Sequence, residues 1–319
     1  MSSARAIAQT QSLRAIQVLD EAHWNELLRA FSTPHPMQTW QWGEAKQIVG
    51  ERVERWCVMA CDAPILLAQT FLKSRAWLPI NIAWVPRGPI YEDKYLAAKA
   101  IKILGREFRL RACRAIVVQP YSLELANRPS LLRRIPAQRD FTFVVDLDAS
   151  LDATERLLRN KGMNRFNREA GVIVEDSSDD AVEPLIDLYA ALAQRKQFRP
   201  YGGAALIRSV WKTFRTPEQA DVAAHCFQAD VHGKVAGSSL VLRVGCTAHY
   251  MWAAFDYELR NLGAGEAMQW EIMKRMRASG VRFYDLEGAD QKNNPGVYKF
   301  KKKLGGTLIE RPPMGFRLL

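Results

Sequence analysis

The chain has 319 residues, of which 48% are hydrophobic and 25% charged, which excludes a largely disordered or collagen-like polymer. Lys and Arg number 45 against 34 Asp and Glu, a net charge of +11, so an anionic partner and a plain basic surface are both open readings. At about 150 residues per domain the length favours two domains, and no apolar run reaches the roughly 18 residues that span a bilayer.

The first 17 residues, MSSARAIAQTQSLRAIQ, lack the apolar core of a secretory signal. The five cysteines are scattered. Cys57 and Cys61 lie close in sequence with no second pair and no nearby His, so free buried thiols are expected rather than zinc, and a cytoplasmic setting follows. Trp24, Leu27, Leu28 and Phe31 recur at helical spacing and predict a helix over 21–31, with a second short helix over 41–49. Alternating apolar residues predict strands over 55–60, 65–71 and 80–85, then a basic helix over 94–111 and strands over 115–119 and 141–146.

The second half follows the same grammar. Helices are predicted over 152–170, with Asp152 near the cap, and over 182–194 and 204–214. Strands are predicted over 172–175, 223–231, 236–244 and 248–254, then a long helix over 265–279, a strand over 283–286 and a loop over 288–296. The pattern is α+β, repeated about 150 residues apart, and internal duplication explains it economically. Two like domains would leave a cleft suited to a ligand, and no low-complexity linker separates the halves.

Five stretches carry candidate chemistry. Residues 297–310 hold Lys299, Lys301, Lys302 and Lys303 before a Gly pair. Read as extended chain, 299, 301 and 303 share one face. One of these lysines beside an aromatic would neutralise an anion or oxyanion; a solvated edge strand is the plain alternative. Arg260 through Gly265 fits R-x-x-G-x-G, a turn whose backbone N–H groups attract a diphosphate at a helix start, or simply a turn before a helix. Lys161, Arg165 and Arg168 form one basic helix face, suited to phosphates or to solvent. In 38–46, Trp42 suits the core, while Lys46 reaches a phosphate or snorkels to solvent. Asp285 and Glu287 share a strand face, where they do acid–base work or anchor the lysines. His residues are dispersed, and no HExxH, Walker loop or GxSxG elbow occurs, which disfavours metal, ATP or serine-triad chemistry.

Taken together, these segments resemble the FemXAB family, the aminoacyltransferases that build peptidoglycan interpeptide bridges. The resemblance rests on Gln38…Trp42…Lys46, Pro86-Arg87-Gly88-Pro89, Asn160–Gly171, Arg195-Lys196-Gln197-Phe198 and Tyr284-Asp285-x-x-Gly288. The most specific part is Gly296-Val297-Tyr298-x-Phe300-Lys301 followed by Gly305-Gly306. It implies two tandem GNAT-like domains, each a mixed, mainly antiparallel sheet flanked by helices, without a long coiled-coil arm. The domains are expected at 1–146 and 147–307, with a tail of about 308–319 returning to the first.

The implied reaction joins the amino acid of an aminoacyl-tRNA to an amine on the stem peptide of a UDP-linked or lipid-linked precursor, in the manner of an EC 2.3.2 transferase. It needs no metal and no cofactor. Lys301, with Phe300, is the expected catalytic pair. Lys46, Arg87, Arg195, Tyr250, Asp285 and Tyr298 are expected on the substrate, and Lys161, Arg165, Arg168, Lys302 and Lys303 on tRNA. No stable protein partner is inferred, and a lipid-linked acceptor brings the protein to the inner membrane face. Gly263 and Gly265 keep a second reading open, a CoA-dependent N-acyltransferase in which they hold the cofactor. A non-enzymatic nucleic-acid-binding protein is the third.

Overall fold

The structure, a computed structural model, describes residues 12–31, 34–75, 78–121, 132–135, 140–215 and 221–319; the N-terminal stretch read above for a signal lies outside them up to residue 11. It forms two compact units, residues 1–140 with 310–319, and residues 141–309.

In the first unit, strand β1 (Leu13–Gln17) leads into helix α1 (Glu21–Leu28), whose start is capped by Asp20 accepting from the His23 N–H at 2.8 Å. A short helix α2 (Trp40–Ile48) precedes the meander β2 (Arg52–Ala60), β3 (Ala63–Arg75) and β4 (Leu78–Val85). Helix α3 (Lys94–Leu110) then crosses to β5 (Cys113–Val118), which lies parallel to β4. The sheet is covered on both faces, so β2 reads as a continuous apolar run rather than an alternation. Trp56 and Val58 face the α3 side with Leu104 and Phe108, while Cys57 and Met59 face Trp24 and Leu28. The two-residue β6 (Arg133–Arg134) lies at the edge of this sheet.

The second unit opens on β7 (Phe141–Asp146). The predicted helix over 152–170 is three pieces: α4 (Asp152–Leu158), a π turn (Arg159–Met163) and α5 (Asn164–Arg168). Asp152 is not the cap; that position is Leu151, without a side-chain bond. After β8 (Val172–Asp176) come α6 (Glu183–Lys196) and α7 (Gly203–Phe214), then a meander of β9 (Val222–Val231), β10 (Lys234–Val244) and β11 (Thr247–Phe255). Helix α8 (Ala264–Ala278) crosses to β12 (Phe283–Asp285), parallel to β11 and antiparallel to β7. Met268, Ile272, Met273 and Met276 of α8 pack on Phe227, Val241 and Tyr284, each fully buried large side chain contributing about 1.5–3 kcal/mol.

The last elements are helix α9 (Pro295–Lys302), β13 (Thr307–Glu310) beside β7, and β14 (Gly315–Leu318), which pairs with β5 in the first unit's sheet. Both seven-stranded sheets share one plan, a three-strand meander, a crossover helix and a parallel fourth strand. Its antiparallel neighbour is β14 in one sheet and β7 in the other. This is the tandem GNAT-like α+β architecture expected, and among the described residues the longest helix has 17 residues, so none forms a coiled-coil arm. No described helix is long and apolar enough to cross a membrane.

Two expectations are corrected. Residues 295–302 are helical, started by Pro295 at its first position, so Lys299, Lys301 and Lys303 do not share a face. Lys301 and Leu304 turn inward while Lys299 and Lys302 stay exposed. The cysteines are all free, but only Cys57, Cys113 and Cys226 are buried; Cys61 and Cys246 are exposed in turns. Burial pushes the Cys57 and Cys226 thiols up to about 12.

Candidate functional site

Lys301 is the buried centre of the second unit's candidate site. Its side chain is 8% exposed, and Nζ donates to the backbone carbonyls of Glu287 and Gly288, both at 2.9 Å. The loop after β12 builds this cradle. Asp285, wholly buried, accepts from the Thr142 hydroxyl and from the Glu287 N–H at 2.8 Å. That second bond closes a tight turn in which Glu287 takes a left-handed φ of 55°, a conformation that costs about 1 kcal/mol for a residue with a Cβ. His249 holds the Glu287 carboxylate at 2.9 Å. Asp285 is thus not the substrate contact expected, and Glu287, beyond the end of the strand in a left-handed turn, does not share a strand face with it. Asp285 instead positions the two carbonyls that grip the ammonium.

Tyr250 lies beside the ammonium, with Nζ 6.0 Å from its ring centroid. It meets Tyr284 edge-on at 6.2 Å, and Tyr284 donates to Gln269 at 3.1 Å. Burial pushes both phenols well above their ordinary range, so neither ionises near neutrality. Tyr298 packs on Phe143 at 5.2 Å between centroids. Phe300 is half-buried against Gly265 and rests over the first turn of α8. The structure thus gathers Lys301, Tyr250 and Asp285 around one loop, with Tyr298 and Phe300 fixing α9.

A CoA diphosphate would meet the backbone of the Gly263–Gly265 turn. Gly263 has φ 84°, and a Cβ there would lie 2.2 Å from the Gly162 carbonyl oxygen. A Cβ on Gly162 would in turn lie 2.7 Å from the Gly263 Cα and 3.0 Å from a Glu266 carboxylate oxygen. The two glycines let the π turn close onto the start of α8, and Glu266 already supplies negative charge to that helix terminus. Arg165 donates to the Asn261 carbonyl, tying the same turn down. These residues serve close packing, and the Glu266 carboxylate at the helix start does not fit a diphosphate.

Arg195 lies elsewhere on this unit, at the exposed end of α6, stacked 4.1 Å over the Tyr257 ring with Arg260 3.9 Å over the same ring. Lys161, Arg168 and Lys302 are exposed, and Lys303 is half-buried. The basic helix face is interrupted at Lys161 by the π turn.

In the first unit, Lys46 is buried, 3.9 Å from Glu51, which also pairs with Lys73. Burial lowers the Lys46 pKa, with Glu51 opposing and Lys73 adding to the fall. Arg87 has a left-handed φ of 51° and pairs with Asp140. Gln38 is structural: it donates to Pro86 O at 2.7 Å and accepts from the Gln69 N–H at 2.8 Å. Gly88 is required because a Cβ there would strike the Gln38 side chain at 2.6 Å. Trp42 is wholly buried, as expected of a core residue.

Sequence reasoning missed His249, Thr142, Gln269, Glu266 and Tyr257, and it read Arg260 as part of an anion-binding turn rather than as a partner of the Tyr257 ring. The Y-D-L-E-G string held a signal, since an Asp two residues before Glu readily bonds its N–H. Nothing local points from residue 142 to residue 285.

Residues 156–302 match the acetyltransferase (GNAT) domain family. Over 107 residues the chain is 27% identical to a lipid II:glycine glycyltransferase from Staphylococcus haemolyticus; the match spans 31% of this chain and only 25% of that relative. The fold is similar to the crystal structure of FemX, with TM-score 0.77, 13% identity, and 96% and 97% of the two chains covered. It is also similar to a tandem GNAT protein from the clavulanic acid biosynthesis pathway, with TM-score 0.56, 14% identity, and 96% and 98% covered.

Proposed function

We propose, for this chain of FemX-like tandem GNAT fold, that it is an aminoacyltransferase acting between an aminoacyl-tRNA and an amine of a peptidoglycan precursor stem peptide. The observation that carries the reading is the buried Lys301 ammonium, gripped by the Glu287 and Gly288 carbonyls. In the reaction, the amine nitrogen attacks the ester carbonyl carbon, forming the C–N bond. The C–O bond to the terminal ribose then breaks, and the amine proton leaves with the ribose hydroxyl. The costly species is the tetrahedral oxyanion, and a fixed cation in a dry site stabilises it at little reorganisation cost. Two carbonyl dipoles favour the charged ammonium and hold its position, and Tyr250 adds a π face.

Lys46, Arg87 and Arg195 are proposed contacts to the precursor, with Tyr298 supporting α9 and Phe300 its fit to α8. The exposed Lys161, Arg168 and Lys302, together with Lys303 and Arg165, are proposed contacts to tRNA phosphates. The poor fit of the Gly263 turn to a diphosphate favours tRNA over CoA as donor. The test is transfer from a pool of labelled aminoacyl-tRNAs to UDP-linked and lipid-linked precursors, with the product identified by mass spectrometry. A product enlarged by one amino acid supports the reading, and no transfer from any member of the pool overturns it.

A further inference from the structure

Helix α3 carries a cationic face that the proposed reaction does not use. At 100° per residue, Tyr95, Lys99, Lys102, Arg106, Arg109 and Leu110 fall within an arc of about 100° and extend over about 22 Å. All six are exposed. Among the described residues no carboxylate pairs with Lys99, Lys102, Arg106 or Arg109, and the one acid of the helix, Glu107, lies outside the arc near Arg111 at 3.5 Å. A groove of about 160 Å³ sits on this face, lined by Lys102, Gly105, Arg106, Arg109, Arg317 and Leu319. The opposite face buries Ala97, Ile101, Leu104 and Phe108, so the helix is firmly seated and the charges are held in place.

We infer that this face is a docking surface for an anionic phospholipid bilayer. Charge complementarity alone suits any polyanion, but the two ends of the arc decide between them. Leu110 is 81% exposed and Tyr95 58% exposed. An exposed leucine among cations gains nothing from a nucleic-acid backbone. At a membrane surface it inserts between headgroups while the cations meet lipid phosphates and the tyrosine sits at the interface. The inference rests on the first unit's surface and stands whether or not the proposed reaction is correct.

The test is co-sedimentation of the full chain with vesicles of phosphatidylcholine alone or mixed with phosphatidylglycerol. Binding to the mixed vesicles that weakens with salt, and little binding to the neutral ones, is expected. Lys102→Gln with Arg106→Gln weakens partitioning about 25-fold, at about fivefold per basic residue, and Leu110→Ser weakens it several-fold with the charge unchanged. These side chains are exposed, so an unaltered melting temperature shows that the variants fold. Equal binding to neutral vesicles, or no binding to either, overturns the inference. So does unchanged vesicle binding by the double variant while its retention of tRNA on a filter falls, which makes the surface a nucleic-acid one.

Discussion

Lys301→Met is the most informative perturbation of the candidate site. Met keeps most of the side-chain volume, so packing against Tyr250 changes little. It removes the charge and the two 2.9 Å bonds to Glu287 O and Gly288 O. Losing a fixed oxyanion-stabilising group of this kind costs about 10²–10³ in kcat, or about 2.7–4 kcal/mol. Each carbonyl left unsatisfied costs about 1–3 kcal/mol, offset by no longer burying an ammonium. A net stability loss of about 1–3 kcal/mol lowers Tm by about 2–4 °C per kcal/mol in a unit of this size. The assay pairs single-turnover transfer with a direct measurement of acceptor binding and a melting curve. The expected result is a fall in turnover of at least a hundredfold, with acceptor binding nearly intact. Turnover within tenfold of the parent chain, in a folded variant, refutes the assignment.

Three other outcomes follow from the geometry. Gly263→Ala introduces a Cβ 2.2 Å from the Gly162 oxygen at φ 84°, so Tm falls by about 2–8 °C or more, at a strain of at least 1–2 kcal/mol; an unchanged melting curve contradicts the packing role of that turn. Gln38→Leu strands the Gln69 N–H and the Pro86 carbonyl, costing about 2–4 kcal/mol by denaturant titration, while KM per folded molecule stays the same. Glu175 bonds His225 at 2.7 Å and Arg275 at 3.1 Å, and the His225 bond leads in holding its pKa below the ordinary carboxylate value. A depressed carboxylate pKa adds stability above the unfolded value, near 4.5, that is lost as pH falls through the folded one. Glu175→Gln should therefore lower Tm at pH 7 and narrow the gap to the parent chain by about pH 3; an equal gap at both pH values refutes the linkage.

Much of the fold was legible because burial imposes period. The 21–28 helix shows itself through Trp24, Leu27 and Leu28, and the meanders through runs of buried apolar residues between turn signals. Strand β1 escaped because LRAIQ is short and half-exposed, so its alternation is faint. Helix α9 was misread because Lys-Phe-Lys alternates like a strand; the decisive marks were Pro295 at its start and the spacing of Val297, Lys301 and Leu304. At the site, Lys301 was singled out only by the resemblance of Gly296-Val297-Tyr298-x-Phe300-Lys301 to the FemXAB pattern, since Lys299 flanks Phe300 equally. Its cradle was not, because two backbone carbonyls carry no residue signature and their orientation depends on Asp285 meeting Thr142 from another strand. The Gly263–Gly265 turn was ambiguous for a related reason: glycine serves close helix packing as readily as anion binding, and the packing against Gly162 is not written in the local sequence.

The most direct test of the whole account puts both donors in one vessel. Equal concentrations of aminoacyl-tRNA and acetyl-CoA compete for one precursor acceptor, with the parent chain and Lys301→Met run side by side, and the product mass is read at single turnover. The account predicts an acceptor enlarged by one amino acid residue, formed by the parent chain and largely absent with Lys301→Met. An acceptor enlarged by an acetyl group, or equal product from both chains, contradicts it.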